Sequence, residues 1–430
     1  MFTVKLPWIP FSEISWTRTA LIRPKVSTLV KMVFVGLACL TATAFPRSLR
    51  AEERGLDEFI QEQMKANNVP GLAACIVKKS GMVWSRGFGW ADIENKIPMT
   101  DQTIQNIASI SKTITATAVM QLWEQGRFKL DDDVNNYLPF HVRNPHFPDC
   151  PITFRQLLTH KSSIKDGPAY KASYACGDPT ISLKDWIKGY LTPEGKYYSE
   201  SENFHTWKPG TVEIPNGPRA YSNVGFGLLG YLVEVMSGTD FSQYCQKNIL
   251  TPLGMKNTRW YLEGVNLADH AIPYTYLPDD FKLPEGTTVE TLLPRFPGQL
   301  LKTGGYFAHC LYSFPNYPDG LIRTSVRDLS CFLRAYINDG AYGNKKLLKK
   351  ETIRTMLSDE HFGRGLCWSK MELKSGDVVW SHGGRDPGIT TQMFFRPKDG
   401  VGVIIFLNCD SLGNARQEIG ERLFEEAAKF

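Results

Sequence analysis

Apolar residues fill nearly consecutive positions near the two ends of this chain, and between them they recur mostly at helical spacing. Gly71-Leu72-Ala73-Ala74-Cys75-Ile76-Val77 reads as a strand, Lys78 to Gly81 as a turn and Met82 to Gly89 as the returning strand. Near the other end, Val378 to His382, Thr390 to Arg396 and Val401 to Asn408 alternate or run apolar and predict three more strands. Helices are predicted over Leu56 to Ala66, from Ser109 onward with Ile114, Ala118 and Leu122 on one face, and over Phe154 to His160, Leu183 to Tyr190, Ser222 to Ser237 and Phe241 to Ile249. Thr324-Ser325 caps another through Tyr336, and Ala415 to Lys429 closes the chain as a helix. Asp269 to Pro318, rich in Pro, Gly and Tyr, predicts loop. Strands at both ends around a helical middle imply a mixed α/β (α+β) chain whose one sheet draws on both termini.

The 430 residues and the balance of 42% hydrophobic to 22% charged residues suit a globular protein with a sizeable core. The net charge of +5 is concentrated at the start, where Lys5, Arg18, Arg23, Lys25, Lys31, Arg47 and Arg50 face one acid, Glu13. The body that remains is near neutral and has no basic run, so nucleic acid is not an expected partner. Within the basic segment, Met32 to Ala44 is apolar and contains Ala42-Thr43-Ala44, with a second candidate processing site after Ala51. Residues 1–51 therefore read as a secretory signal, with a retained membrane anchor or an organellar transit peptide as the alternatives. Stable membrane association is expected only if that segment is kept. The cysteines are scattered without paired spacing and read mostly as buried thiols, with Cys150 and Cys176 the pair expected to form any disulfide. No metal motif is present: His141 and His146 lie in a Pro-containing loop, and Asp131-Asp132-Asp133 marks a turn and helix start.

Ser109-Ile110-Ser111-Lys112 carries the candidate chemistry. A serine and a lysine three apart at a helix start lie on one face, so the amine reaches the hydroxyl. Such a lysine activates the serine if burial and nearby positive charge lower its pKa; the alternative is an ordinary capped helix. The same pattern recurs at Ser162 and Lys165, but that segment runs into Gly167-Pro168 and reads as loop.

With Val69-Pro70-Gly71-Leu72, Ala108-Ser109-Ile110-Ser111-Lys112-Thr113, Gln156-Leu157-Leu158-Thr159-His160, Tyr221-Ser222-Asn223, Gly320-Leu321-Ile322-Arg323-Thr324-Ser325 and His382-Gly383-Gly384 in this order, the chain resembles the serine beta-lactamase and penicillin-binding-protein superfamily, in its class C beta-lactamase, DD-peptidase and esterase branch. The resemblance implies a beta-lactamase/transpeptidase-like fold over residues 52–430, with the sheet from about 52–100 and 365–430 and the helical part at about 105–340. It implies Ser109 as the acylated nucleophile, Lys112 as its activating partner, Tyr221 as the proton relay, and Asn223 bonding substrate or Lys112. His382-Gly383-Gly384 takes the place of the third motif, whose usual triplet is spelled at Lys302-Thr303-Gly304. Only His382 adjoins predicted strands, so Lys302 reads as a surface loop residue. The backbone N–H groups of Ser109 and Arg385 would form the oxyanion hole.

Plainer readings attach to the remaining features. Gly225-Phe226-Gly227-Leu228-Leu229-Gly230 matches a dinucleotide fingerprint but lies inside a helix, which reads as close helix packing. Tyr336 and Tyr342, each two before an Asn, read as packing and turn residues. His160 reads as a helix end with a local hydrogen bond. Trp207, Tyr306, Tyr312, Phe314, Tyr317 and Trp368 are candidates for cleft walls or for core. The expectation is a serine hydrolase on small-molecule, peptide or ester substrates, needing neither metal nor organic cofactor, with oligomeric state left open. Gly383 offers no hydroxyl and His382 less fixed charge than a lysine, which favours esterase or amidase action over DD-peptidase or beta-lactamase action. A non-catalytic receptor or scaffold on the same fold is the alternative of another class.

Overall fold

The chain begins its described structure with helix α1, Leu56–Ala66, whose Ile60 and Met64 are buried and whose first turn carries Asp57 and Glu58, as the helix dipole favours. The structure, a computed structural model, describes residues 55–211, 221–277, 299–300, 305–360, 363–410 and 413–430. These fall in one unit, Arg54–Phe430. The segment 1–51 and the triplet Lys302-Thr303-Gly304 lie outside the described residues.

Strands β1 (Gly71–Lys78), β2 (Gly81–Asp92) and β3 (Ile97–Pro98) follow. The late strands β4 (Ser369–Glu372), β5 (Val378–Asp386), β6 (Ile389–Arg396) and β7 (Val401–Leu407) complete a seven-stranded antiparallel sheet in the order β4-β5-β6-β7-β1-β2-β3. The join between chain ends is the β1–β7 ladder, with Leu72 opposite Leu407 and Val77 opposite Gly402. Leu72, Ala74 and Ile76 pack on one face with Ile60 and Met64 of α1 and with Ile419 and Leu423 of α7 (Ala415–Glu426), while Ala73, Cys75 and Val77 face the helical region. Both faces are covered, and that is why β1 reads as an unbroken apolar run.

The helical region is built around α2, Ser111–Glu124, which follows a 3-10 turn at Ala108–Ile110. Every residue from Ser111 to Met120 is buried. Its hydroxyls are satisfied internally: Thr113 donates to the Ile110 carbonyl at 2.7 Å, Thr117 to the Thr113 carbonyl at 2.7 Å and Thr115 to the Pro318 carbonyl at 2.6 Å. Against it lies α5, Asn223–Ser237, capped by Ser222, whose Oγ accepts from Gly225 N at 3.0 Å. The glycine pattern inside α5 serves packing, since a Cβ on Gly227 would meet Asn316 Oδ1 at 1.9 Å and one on Gly230 would meet Pro318 Cγ at 2.4 Å. Helices α3 (Phe154–Leu158), α4 (Leu183–Leu191) and α6 (Val326–Ile337, capped by Ser325) complete the set the sequence predicts.

Three expectations are corrected. The helix expected to run to His160 ends at Leu158, because His160 adopts a left-handed φ of 57°. The Phe241 to Ile249 helix changes to a π-helical turn over Gln246–Leu250. The disulfide joins Cys176 to Cys310, leaving Cys150 a free thiol. A short ribbon explains this: Ala175–Cys176 pairs with Tyr312–Ser313, which brings the Cys176 and Cys310 Cα atoms to 5.8 Å.

Candidate active site

Ser109 sits in the 3-10 turn that feeds α2, just after Ala108, whose φ of 47° is strained for a residue with a Cβ. The strain is held by Asn106, whose Oδ1 accepts from Ala108 N at 2.7 Å. One turn on, Lys112 is fully buried and its Nζ donates to Ser109 Oγ at 3.0 Å. It also donates to Asn223 Oδ1 and to the Asp319 carbonyl, each at 2.7 Å, and faces Asp319 Oδ2 at 3.3 Å. Burial alone would pull Lys112 down; Tyr221, Asp319 and Asp166 push it up, and the net is a raised pKa. A lysine lowered by nearby positive charge is thus not what the site contains: its neighbours are anionic or phenolic.

Tyr221 and Asn223 come from the start of α5. The Tyr221 phenol faces Ser109 and Lys112, with Lys112 Nζ 5.1 Å from its ring centre, and burial of the hydroxyl end lifts its pKa against the pull of Lys112 and Ser109. Its ring lies on His160, centroids 4.0 Å apart. His160 Nδ1 accepts from the Ser222 backbone N–H at 3.2 Å, a partner far along the chain instead of the local one expected, and burial holds this histidine well below its ordinary pKa. Asp166 fixes Asn223 by accepting from its backbone N–H and its Nδ2, each at 2.9 Å, and from Val224 N at 3.0 Å. With Asn223 oriented this way, its Oδ1 is left for Lys112.

The opposite wall is β5. A Cβ on Gly384 would meet Ile107 O at 2.4 Å and Thr391 Oγ1 at 2.2 Å, so only glycine lets this strand approach the Ser109 turn. That approach packs β5 against the Ser109 turn, and Arg385 and Ser109 line the same cleft. His382 Nδ1 bonds Gly383 O at 2.8 Å, and burial, followed by Lys112, takes its pKa to about 4. Together these residues line a cleft of about 470 Å³ with Arg364, Gln392 and Arg416. Among the described residues no carboxylate lines it.

The family model described as Beta-lactamase matches residues 56–428. The chain belongs to the beta-lactamase family. It is 21% identical to Protein flp of Staphylococcus aureus (strain N315) over 360 residues, covering 84% of this chain and 64% of that protein. It is 26% identical to the human serine beta-lactamase-like protein LACTB, mitochondrial, over 344 residues, covering 66% of this chain and 60% of that one. It thus spans less than two thirds of the length of these relatives. In three dimensions it matches the D-amino acid amidase of Ochrobactrum anthropi SV3 with a TM-score of 0.67 at 20% identity, covering 87% of this chain and 98% of that one. The beta-lactamase fold, expected from the motifs, is the fold observed, and solved structures that share it include a D-amino acid amidase and a class C beta-lactamase.

Among the residues of this beta-lactamase-family chain singled out from sequence, the structure gathers Ser109, Lys112, Tyr221, Asn223, His382, Gly383, Gly384 and Arg385 at one cleft or directly beneath it. Lys165, of the second serine–lysine pattern, turns outward to the Ser201 carbonyl at 3.3 Å. Tyr312, Phe314, Tyr317 and Trp368 are buried core, not cleft wall. Sequence reasoning missed Asp166, Asp319, Gln392, Arg364 and Arg416. Asp319 directly precedes the Gly320 segment and Asp166 follows the discarded Ser162 pattern, so proximity to a motif was the one available signal.

Proposed function

We propose that this protein is a serine hydrolase that forms an acyl-enzyme on Ser109, acting on esters and amides of small acyl groups ahead of beta-lactams. The observation that carries this reading is the 3.0 Å contact between Ser109 Oγ and the buried Lys112 at the floor of an open cleft. Ser109 Oγ attacks the substrate carbonyl while its proton passes to the Lys112–Tyr221 pair, and the oxyanion is received by the N–H groups of Ser109 and Arg385. The same proton then leaves with the alcohol or amine, and water releases the acyl group. A receptor or scaffold has no use for a buried lysine aimed at a half-buried serine that lines a cleft.

The preference for esters over beta-lactams rests on the third motif, since His382 is uncharged near neutral pH and Gly383 has no hydroxyl. One observation favours a second arm of specificity. Arg416 Nη1 stands 3.3 Å from where a Gly383 Cβ would be, in a cleft that no carboxylate lines among the described residues, so substrates with an anionic group on that side gain a guanidinium partner. A cleft of about 470 Å³ supports small-molecule or short-peptide substrates. For location we propose export, supported by the basic and apolar N-terminal segment and by the Cys176–Cys310 disulfide, with an organelle as the runner-up.

The test is a side-by-side comparison of kcat/KM for a short-chain nitrophenyl ester, the same ester bearing a carboxylate, nitrocefin and a D-Ala-D-Ala peptide. The ester should be the better substrate, Lys112→Ala and Tyr221→Phe should each slow acylation by about 10² or more, and Arg416→Gln should raise KM for the carboxylate ester alone by roughly tenfold or more. Faster hydrolysis of nitrocefin than of the ester defeats the preference. A folded protein that a fluorophosphonate labels nowhere, or at Ser162, defeats the mechanism.

A further inference from the structure

Three acceptors besides Ser109 surround the Lys112 nitrogen, and their chemistry fixes how many protons it must carry. Asn223 Oδ1 and the Asp319 backbone oxygen, both at 2.7 Å, can only accept, so each takes one N–H. A neutral amine has those two N–H groups and one lone pair, which would point at Ser109 as a base. Asp319 Oδ2 at 3.3 Å is a further acceptor, an anionic one, that Lys112 reaches as a donor only with a third proton, which it shares with Ser109 Oγ at 3.0 Å. Both side chains are out of water, 0% and 3% exposed, so the choice is made in a medium that screens charge weakly. The carboxylate is itself held in place: Asn316 Nδ2 donates to Oδ1 at 2.8 Å and the Tyr170 hydroxyl to Oδ2 at 3.1 Å.

We propose that Asp319 is a positioning residue, the counter-ion that keeps Lys112 an ammonium throughout acylation, so that Tyr221 and not Lys112 takes the proton of Ser109. The inference rests on the reading of Ser109 as nucleophile. In the reactive form the Lys112–Tyr221 pair has lost one proton, and Asp319 makes the phenol the group that lost it. The Tyr221 phenolate oxygen accepts the Ser109 proton as the Oγ–carbon bond forms and the carbonyl electron pair moves onto oxygen. It returns that proton to the leaving atom as the bond to the leaving group breaks, and Lys112 keeps three protons from start to finish.

Other groups face the pair. Lys112 is faced by Tyr221, Asp166, His160, His382 and Cys367, and Asp319 by Tyr170, Tyr174, Asp166 and Asp386. Burial holds both histidines and the thiol neutral, and Asp319 is the only one of the carboxylates whose oxygen lies within 4 Å of the Lys112 nitrogen.

Removing the Asp319 charge lowers the proton affinity of the whole pair. The experiment is the rate of fluorophosphonate labelling of Ser109 from pH 5 to 10.5 in wild type, Asp319→Asn and Asp319→Glu, alongside NMR of [13Cε]-lysine protein with the Lys112 signal identified by Lys112→Arg. Both limbs of the labelling profile should move to lower pH by about one unit or more in Asp319→Asn, and Asp319→Glu should bring them back toward wild type. The wild-type Lys112 signal should stay at its ammonium position while the labelling rate climbs. A folded Asp319→Asn with unmoved limbs, or a wild-type lysine signal that titrates in step with the rate, overturns the proposal. If Asp319→Asn does not fold, the wild-type titration decides by itself. Absence of labelling in wild type rejects the nucleophile instead, and the lysine titration still judges Asp319.

Discussion

His382 shows how one side chain changes the character of a wall. In the fold its pKa drops to about 4, whereas an unfolded histidine titrates near 6.5, so across pH 5 to 8 the folded side chain is neutral. The sign for stability follows: the contribution is present above about pH 6.5 and is lost as pH falls toward 4, because the unfolded chain takes up a proton that the folded one refuses. Relative to wild type, His382→Gln should therefore gain melting temperature steadily as pH is lowered from 6.5 to 4, and the kcat/KM profile for a neutral ester should have the same shape in both proteins between pH 5 and 8. A wild-type limb near pH 6.5 that the glutamine variant lacks would count against a neutral His382. The cleft's charge then comes from Arg364, Arg385 and Arg416, which leaves the His382-Gly383-Gly384 triplet to shape the wall without charging it.

Among the elements, α5 has the most demanding environment, because two of its glycines lie where neighbours leave no room. Gly227→Ala sets a methyl group on Asn316, which also accepts from Trp186 Nε1 at 3.0 Å and donates to the Asn223 carbonyl at 2.9 Å. Overpacking of this kind costs about 1–3 kcal/mol, to be read from the denaturant midpoint, and it should also slow Ser109 labelling, since Asn316 is a partner of Asp319. An unchanged midpoint would show that Asn316 moves aside freely. Elements such as α5, α2 and β1 were legible in the sequence because burial writes apolar residues at a period. Strand β4 was not, because Ser369–Glu372 is a mostly exposed edge with no apolar face to reveal it. Likewise the serine and lysine of the site were legible as neighbours on one turn. Asp319, Asp166 and Arg416 were not, because each reaches the site from a distant segment and only the folded chain brings it there.

At the scale of the molecule, the disulfide ties segments 134 residues apart, Cys176 to Cys310, beside the ribbon that presents Tyr174 and Tyr312. Cross-links over loops of this length contribute about 2–5 kcal/mol, so the double variant Cys176→Ser, Cys310→Ser should lose that much, while Cys150→Ser should stay within about 0.5 kcal/mol of wild type. Non-reducing peptide mapping of protein from its native host is the check, combined with N-terminal sequencing, which should find the mature chain starting near Phe45 or Glu52. A Cys150–Cys176 peptide would refute the pairing, and a retained Met1 would refute processing.

The β1–β7 ladder has a further consequence, for synthesis. Leu72 emerges from the ribosome long before Leu407, so β1, paired early with β2 on one edge, waits through most of translation without β7 on the other, and the sheet closes only when the last strand has been released. The wall opposite Ser109 belongs to that late segment. A nascent chain, or one cut short before Val378, carries the serine and the lysine but no cleft around them, so it stays chemically silent. Apolar β1 must meanwhile be shielded, which makes chaperone occupancy, not reactivity, the mark of the unfinished chain.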